Sequence, residues 1–195
     1  MRFLWDLDGT IFDTYPIALE SFNMIYQDLN GSSVDKEKLL PMLKRSSKEA
    51  FVYFKIPVAL QKKFKQINHE RLEKFSKPFR GVKEILSDAK VNVMVTHRAK
   101  QSTKQSLEKW GLLQYFDEIV SPDDDGFLRK PDIGAYQYLY DTYKIDWAVG
   151  DRALDLIPAK AVGMKTCAFQ NCEIEADLHV SEYNHLFMKD LETIK

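Results

Sequence analysis

The chain opens on Phe3-Leu4-Trp5-Asp6-Leu7-Asp8-Gly9-Thr10, a short apolar run ending in two carboxylates at i and i+2. On extended backbone Asp6 and Asp8 share a face, with Leu7 turned to the other. Only Arg2, at the start of the run, is polar before them, which predicts a strand inside a sheet with its acids at the carboxyl edge. That edge is where open α/β sheets hold their ligands. Two like charges this close require a cation between them or one shared proton, and a hard divalent ion such as Mg2+ meets the first requirement. Gly9-Thr10 lets the backbone turn tightly beside whatever is bound. A calcium loop of the EF-hand type is excluded, because Gly9 directly follows the second acid and leaves no room for a third oxygen ligand. Taken alone, the motif also fits a solvated turn after an edge strand, so the rest of the chain decides.

Short apolar runs recur at Arg2–Trp5, Val91–Val95, Glu118–Val120, Trp147–Val149 and Lys165–Phe169, with helical stretches between them. Ala99–Trp110 is mostly polar and stops at Gly111, a good carboxyl-terminal signal. Pro131 is expected to open a helix carrying Tyr136, Tyr140 and Tyr143 on a core-facing stripe. Pro158–Val162 reads as a short helix with proline near its start and Gly163 past its end. Strands alternating with helices predict an α/β fold, a doubly wound, Rossmann-like parallel sheet. From Tyr15 to Pro78 the pattern is helical throughout, broken at Gly31-Ser32-Ser33, Pro41 and Pro57. Ile17, Phe22, Ile25, Tyr26 and Leu29 form one apolar face there, and Phe64, Ile67, Leu72 and Phe75 another. The expected organisation is a core of residues 1–14 and 79–195 with an inserted α-helical cap at 15–78, lying over the sheet edge as a lid.

Composition narrows the function classes. A chain of 195 residues, 45% hydrophobic and 12% aromatic, can bury a real core. Its 29% charged residues sum to a formal net charge of only −1, which speaks against a nucleic-acid surface and favours small anions met at a local site. No apolar run is long enough to cross a bilayer, so no membrane role is expected. The amino terminus is already core strand, without a basic leader, so no export signal is read. Cys167 and Cys172 imply neither a disulfide framework nor a zinc site, and a reducing cytoplasm is the expected compartment. No protein partner is implied.

Later strands repeat the opening theme. Val95-Thr96-His97-Arg98 brings a hydroxyl to the same edge as Asp6, and Phe127-Leu128-Arg129-Lys130-Pro131-Asp132 brings a lysine ahead of a helix amino terminus. Ala148-Val149-Gly150-Asp151-Arg152-Ala153-Leu154-Asp155 adds two carboxylates, expected on a loop because Pro158 suggests a helix beginning near Ile157. Acids, a hydroxyl, a lysine and further acids on one rim suit phosphoryl transfer, where most of the work is placing charge around the phosphoryl group. A carboxylate can be the nucleophile, forming an aspartyl-phosphate. Mg2+ would offset repulsion between nucleophile and phosphate. Thr96 with nearby N–H groups can hold a phosphoryl oxygen, and Lys130 can neutralise Asp6 and follow the developing charge. A second acid two residues on can protonate the leaving alkoxide and later deprotonate water.

This order resembles the haloacid dehalogenase superfamily over nearly the whole chain. Asp6-x-Asp8-Gly9-Thr10 is similar to its first motif, Thr96 to its second, Lys130 to its third and Gly150-Asp151-x-x-x-Asp155 to its fourth. The helical insertion resembles the cap of the phosphoglycolate phosphatase and β-phosphoglucomutase branch. The resemblance implies Asp6 as nucleophile and Asp8 as general acid/base. It implies Mg2+ held by Asp6, the Asp8 carbonyl and Asp151, with Asp155 in support, and phosphate held by Thr96 and Lys130. Asp8 argues against dehalogenation, since dehalogenases of the superfamily lack that acid.

His97 and Arg98 depart from the small or amide residues common after the second-motif threonine. His97 offers its N–H, its ring, or neither, and Arg98 and Arg152 are either substrate-anion contacts or solvated charges. Lys44, Arg45 and Lys48 resemble the cap stretch that reaches the substrate, and a solvated helix face explains them equally well. Gly150 stands where mutases often carry glutamate, which favours a phosphatase. Asp123-Asp124-Asp125-Gly126 reads as a turn. The expected activity is Mg2+-dependent hydrolysis of a small phosphomonoester through an aspartyl-phosphate; the alternatives are a phosphomutase or a non-catalytic binding member of the fold.

Overall fold

The computed structural model describes residues 1–184 and 187–194. Its centre is a parallel sheet of β1 (Arg2–Trp5), β2 (Val91–Val95), β3 (Glu118–Val120), β4 (Trp147–Gly150), β5 (Lys165–Phe169) and β6 (Leu178–Val180), in the spatial order β3-β2-β1-β4-β5-β6. The chain runs outward from β1 through β2 to β3, then returns to β1's other side with β4. The order reverses between β1 and β4, which makes their carboxyl ends the switch point where a crevice opens.

Side chains alternate across this sheet as the pleat requires. Phe3, Trp5, Met94, Trp147, Val149, Cys167 and Phe169 pack into one buried layer, and Leu4, Val93, Val95 and Ala148 into the layer on the opposite face. Burial on both faces explains why the strands read as continuous apolar runs. Asn92 is the polar exception inside β2, and it is satisfied: Trp5 Nε1 donates to its Oδ1 at 2.8 Å, and its Nδ2 donates to the carbonyls of Leu86 and Tyr115. Cys167 and Cys172 are free thiols. Among the described residues, no helix is long and apolar enough to cross a membrane.

Two compact units emerge. One comprises Met1–Phe12 with the chain from Pro78 onward and carries the sheet, and the other is Asp13–Lys77. The second unit is helical: α1 (Tyr15–Asn30), α2 (Lys36–Arg45), α3 (Ser47–Tyr53) and α4 (Val58–Phe75). Ile17, Phe22 and Ile25 of α1 are buried, and Phe22 meets Phe51 and Phe64 at ring-centroid distances of 5.9 and 5.8 Å. Leu29 and Phe75, expected on apolar faces, are exposed. Both lie in final helical turns, and Phe75 is covered instead by Arg71 and Lys74, 5.3 and 5.1 Å from its ring centre.

The remaining helices flank the sheet: α5 (Val82–Asp88), α6 (Lys100–Lys109), α7 (Gly134–Tyr143), α8 (Ala153–Ala161) and α9 (Phe187–Thr193). Three proline readings need correction. Pro41 does not break α2, and Pro158 lies inside α8 rather than near its start. Each forfeits the bond to the carbonyl four residues back, yet buried neighbours on both sides (Leu39 and Leu43, Leu156 and Ala159) hold the helix. Pro131 does not open α7, which starts three residues later, after the Asp132 carboxylate accepts from the Gly134 N–H at 2.8 Å. Tyr136 is buried as expected, while Tyr140 and Tyr143 are only half-buried.

Candidate active site

Asp6 directly follows β1, and its N–H donates to the Val149 carbonyl of β4 at 3.0 Å, which fixes it at the switch point. Across the other flank of β1, the Thr96 N–H donates to the Val120 carbonyl at 3.0 Å. Between these lies Lys130, whose side chain is 1% exposed. Its ammonium donates to Asp6 Oδ1 at 2.5 Å, Asp155 Oδ1 at 2.6 Å and the Val95 carbonyl at 2.9 Å. An ammonium has three hydrogens, so this buried cation is fully satisfied.

The fourth-motif acids approach from β4 and α8. Because α8 begins at Ala153, Asp155 sits in a helical first turn rather than on the expected loop. A carboxylate there is favoured by the helix dipole. Gly150 is what allows the approach: a Cβ at that position would lie 2.6 Å from Asp155 Cβ. Asp151 is 1% exposed, and the Asn171 side-chain amide donates to its carbonyl at 2.8 Å. Sequence reading gave Thr10 a part in the turn but its side chain no role, yet its hydroxyl lies 3.4 Å from both Asp6 Oδ2 and Asp151 Oδ1, with its own carbonyl held by Tyr183 Oη at 3.0 Å.

Asp6, Asp151 and Asp155 each offer an oxygen within 4.8 Å of the others, and all three are buried. Arg152 is not a solvated charge. Its guanidinium reaches Asp155 Oδ2 at 3.3 Å, Asp6 Oδ1 at 3.6 Å and Asp151 Oδ1 at 3.8 Å. Burial, reinforced by the Asp155 charge, pushes the Asp6 carboxyl above its usual range, against the opposing pull of Lys130 and Arg152. Asp155 is held below its usual range: burial would raise it, and Lys130 and Arg152 together outweigh that. Three buried acids facing two cations keep an excess of hard oxygen donors, the chemistry that suits a small divalent ion.

Asp8 stands apart from this cluster. The sequence implied one cation or one proton shared by Asp6 and Asp8; in the structure each has its own partner, Lys130 for Asp6 and Arg98 for Asp8. Thr96 is buried, and its Oγ1 accepts from the Arg98 N–H at 3.1 Å. His97 is half-buried, with its Nε2 enclosed and without a hydrogen-bond partner among the described residues. Burial, with Lys130 and Arg129 nearby, lowers its pKa to about 4, so the imidazole is neutral at physiological pH. Tyr136 Oη is likewise enclosed and without a partner among the described residues, held protonated by burial and the Asp155 and Asp6 charges.

Arg45 and Lys48 belong to the helical unit, where the Arg45 guanidinium pairs with Glu49 and Lys48 occupies the first turn of α3. Asp123 and Asp124 form the expected turn and also serve α6: Asp123 accepts from the Lys100 N–H at 2.7 Å and Asp124 from its ammonium at 2.5 Å.

Comparison with known proteins agrees with this geometry. A family model for haloacid dehalogenase-like hydrolases matches residues 3–169. A pyrophosphatase PpaX from Bacillus thuringiensis (strain Al Hakam) is 26% identical over 198 residues, covering 96% of this chain and 90% of that protein. A hydrolase structure from Streptococcus pneumoniae TIGR4 superposes with a TM-score of 0.69 at 30% identity, over 88% of this chain and 93% of that one. A structure described as a predicted phosphoglycolate phosphatase, from Haemophilus somnus 129pt, shares the fold at a TM-score of 0.76 and 18% identity, over 97% and 96% of the two chains.

Proposed function

This chain belongs to the haloacid dehalogenase-like hydrolase family, and on that premise we propose that it is a magnesium-dependent phosphatase acting on a small phosphorylated metabolite. The observation that carries this reading is the Lys130 ammonium bonded to both Asp6 and Asp155 beside Asp151, at the switch point of the sheet. The pyrophosphatase named among its relatives makes phosphoric esters and anhydrides the substrate classes to test.

In this mechanism a carboxylate oxygen of Asp6 attacks phosphorus, and the bond to the leaving oxygen breaks as Asp8 supplies its proton. Water then attacks the aspartyl-phosphate, Asp8 takes a proton from it, and Asp6 is released. Lys130 holds the nucleophile at 2.5 Å and offers a fixed positive charge to the phosphoryl oxygens. Thr96 contributes a hydroxyl at the adjoining strand end. Asp6, the Asp8 carbonyl and Asp151, with Asp155 behind them, would hold the magnesium ion, which when bound offsets the repulsion between an anionic nucleophile and an anionic phosphate.

The test is phosphate release from a panel of alkyl and aryl phosphomonoesters and inorganic pyrophosphate, with Mg2+ and with EDTA, for the wild type and Asp6→Asn. Metal-dependent turnover by the wild type and none by the variant is expected. Equal rates for the two proteins would overturn the assignment of the nucleophile, and no turnover of any substrate would overturn the activity.

A further inference from the structure

Arg98 makes contacts that the proposed chemistry has not used. Its side chain is 7% exposed, and Nη2 and Nε donate to Asp8 Oδ1 and Oδ2 respectively, the latter at 3.3 Å. Nη1 donates to Ser106 Oγ of α6 at 2.9 Å, and the Arg98 backbone N–H donates to Thr96 Oγ1 at 3.1 Å. Every nitrogen of the guanidinium is therefore committed within the sheet-bearing unit. Asp8 keeps 32% of its side chain exposed, so the acid faces outward while its cation is buried behind it.

A fork that contacts both oxygens fixes the plane of a carboxyl group, which a single point charge on a flexible stem cannot do. The Ser106 bond prevents the guanidinium from rotating about its own axis and carries the constraint back to a helix. Such a device matters where direction matters, and proton transfer needs heavy atoms at hydrogen-bond distance and in line. An ion pair serving stability alone gains little from one open partner.

We propose that Arg98 is the positioning residue for Asp8, aiming its carboxyl group at the oxygen that leaves phosphorus, and is not itself a substrate ligand. This rests on the reading of Asp8 as general acid and base. In the first step the proton leaves Asp8 for the departing oxygen as the phosphorus–oxygen bond breaks; in the second it returns from the attacking water. Arg98 neither gives nor takes a proton in either step.

The dependence on leaving-group basicity tests this. An alkyl phosphate needs its leaving oxygen protonated, whereas p-nitrophenyl phosphate expels a stable phenolate unaided. Full-length Arg98→Ala, Arg98→Gln and Arg98→Lys are compared with the wild type on both esters with saturating Mg2+, with thermal unfolding recorded for each. The expected loss in kcat/KM, which reports the steps through formation of the aspartyl-phosphate, is about 100-fold for the alkyl ester, within the range of one general acid, and under about fivefold for the aryl ester, while kcat, which also contains the hydrolysis step common to both, falls for both. Guanidinium chloride at millimolar concentration restores part of the Arg98→Ala rate, while Arg98→Lys gives no such recovery. A raised KM with unchanged kcat would make Arg98 a substrate ligand, and equal losses of kcat/KM on both esters would make it merely structural; either overturns the proposal. Turnover by Asp8→Ala equal to wild type, or an idle wild type, overturns the underlying reading and the proposal with it.

Discussion

Lys130→Met separates the electrostatic role of this residue from its bulk. Methionine nearly fills the volume of the lysine stem, so no cavity opens, but three hydrogen bonds disappear and Asp6 and Asp155 are left as buried like charges with Arg152 as their remaining cation. Removing one partner of a buried pair costs about 3–5 kcal/mol. For a domain of this size each kcal/mol moves the melting temperature by about 2–4 °C, so a fall of roughly 6–20 °C is expected. The experiment is thermal unfolding by circular dichroism in EDTA at neutral pH.

Two further readouts fix the cause. Without Lys130, burial and mutual repulsion raise the folded-state pKa values of Asp6 and Asp155 above their unfolded values. The folded variant then holds more protons than the unfolded chain, so its deficit grows with rising pH and shrinks on acidification toward pH 5.5. The double variant Lys130→Met, Asp155→Asn removes one of the two charges and recovers part of the lost stability. Mg2+ binding only the folded form also restores part of it. A single variant as stable as the wild type in EDTA, or a deficit indifferent to pH, would refute the view that Lys130 compensates buried carboxylates.

Gly150→Ala brings a Cβ to 2.6 Å from Asp155 Cβ between a strand and a helix, and a loss of about 1–3 kcal/mol in urea unfolding is expected, together with reduced turnover. Arg152→Gln removes the guanidinium that reaches all three clustered acids, and calorimetric titration should show Mg2+ binding roughly tenfold tighter. Unchanged affinity would mean that Arg152 does not oppose the metal.

Strands β1 to β5 were legible because each is a short, largely apolar and largely buried run bounded by helical stretches. β6 was not: Leu178-His179-Val180 has only three residues, with His179 exposed at the sheet edge, and such a segment is indistinguishable from loop. Prolines misled in a consistent direction. Pro41 and Pro158 were weighed as boundaries by local preference, while burial of the residues around them kept both helices intact. In the site, residue order along the chain was enough to bring Asp6, Lys130, Asp151 and Asp155 to one rim. What order could not give was pairing. That Arg98 reaches Asp8 and Arg152 reaches the acid cluster depends on side-chain direction at strand ends, where a turn of one residue exchanges a substrate-facing arginine for an internal one.

The pairing suggests why the site tolerates so much charge in a buried place. The three clustered carboxylates meet two fixed cations, so the group without metal carries a small negative excess. Under the proposed function a divalent cation would turn that excess positive by an equal amount, and a phosphoryl dianion would return it. Each state then lies near neutrality, the condition under which a buried ionic cluster avoids the large desolvation cost of isolated charge. Asp8 has its own arginine as counter-ion. In the proposed mechanism the acid that would transfer the proton therefore has a counter-ion distinct from the two cations of the cluster.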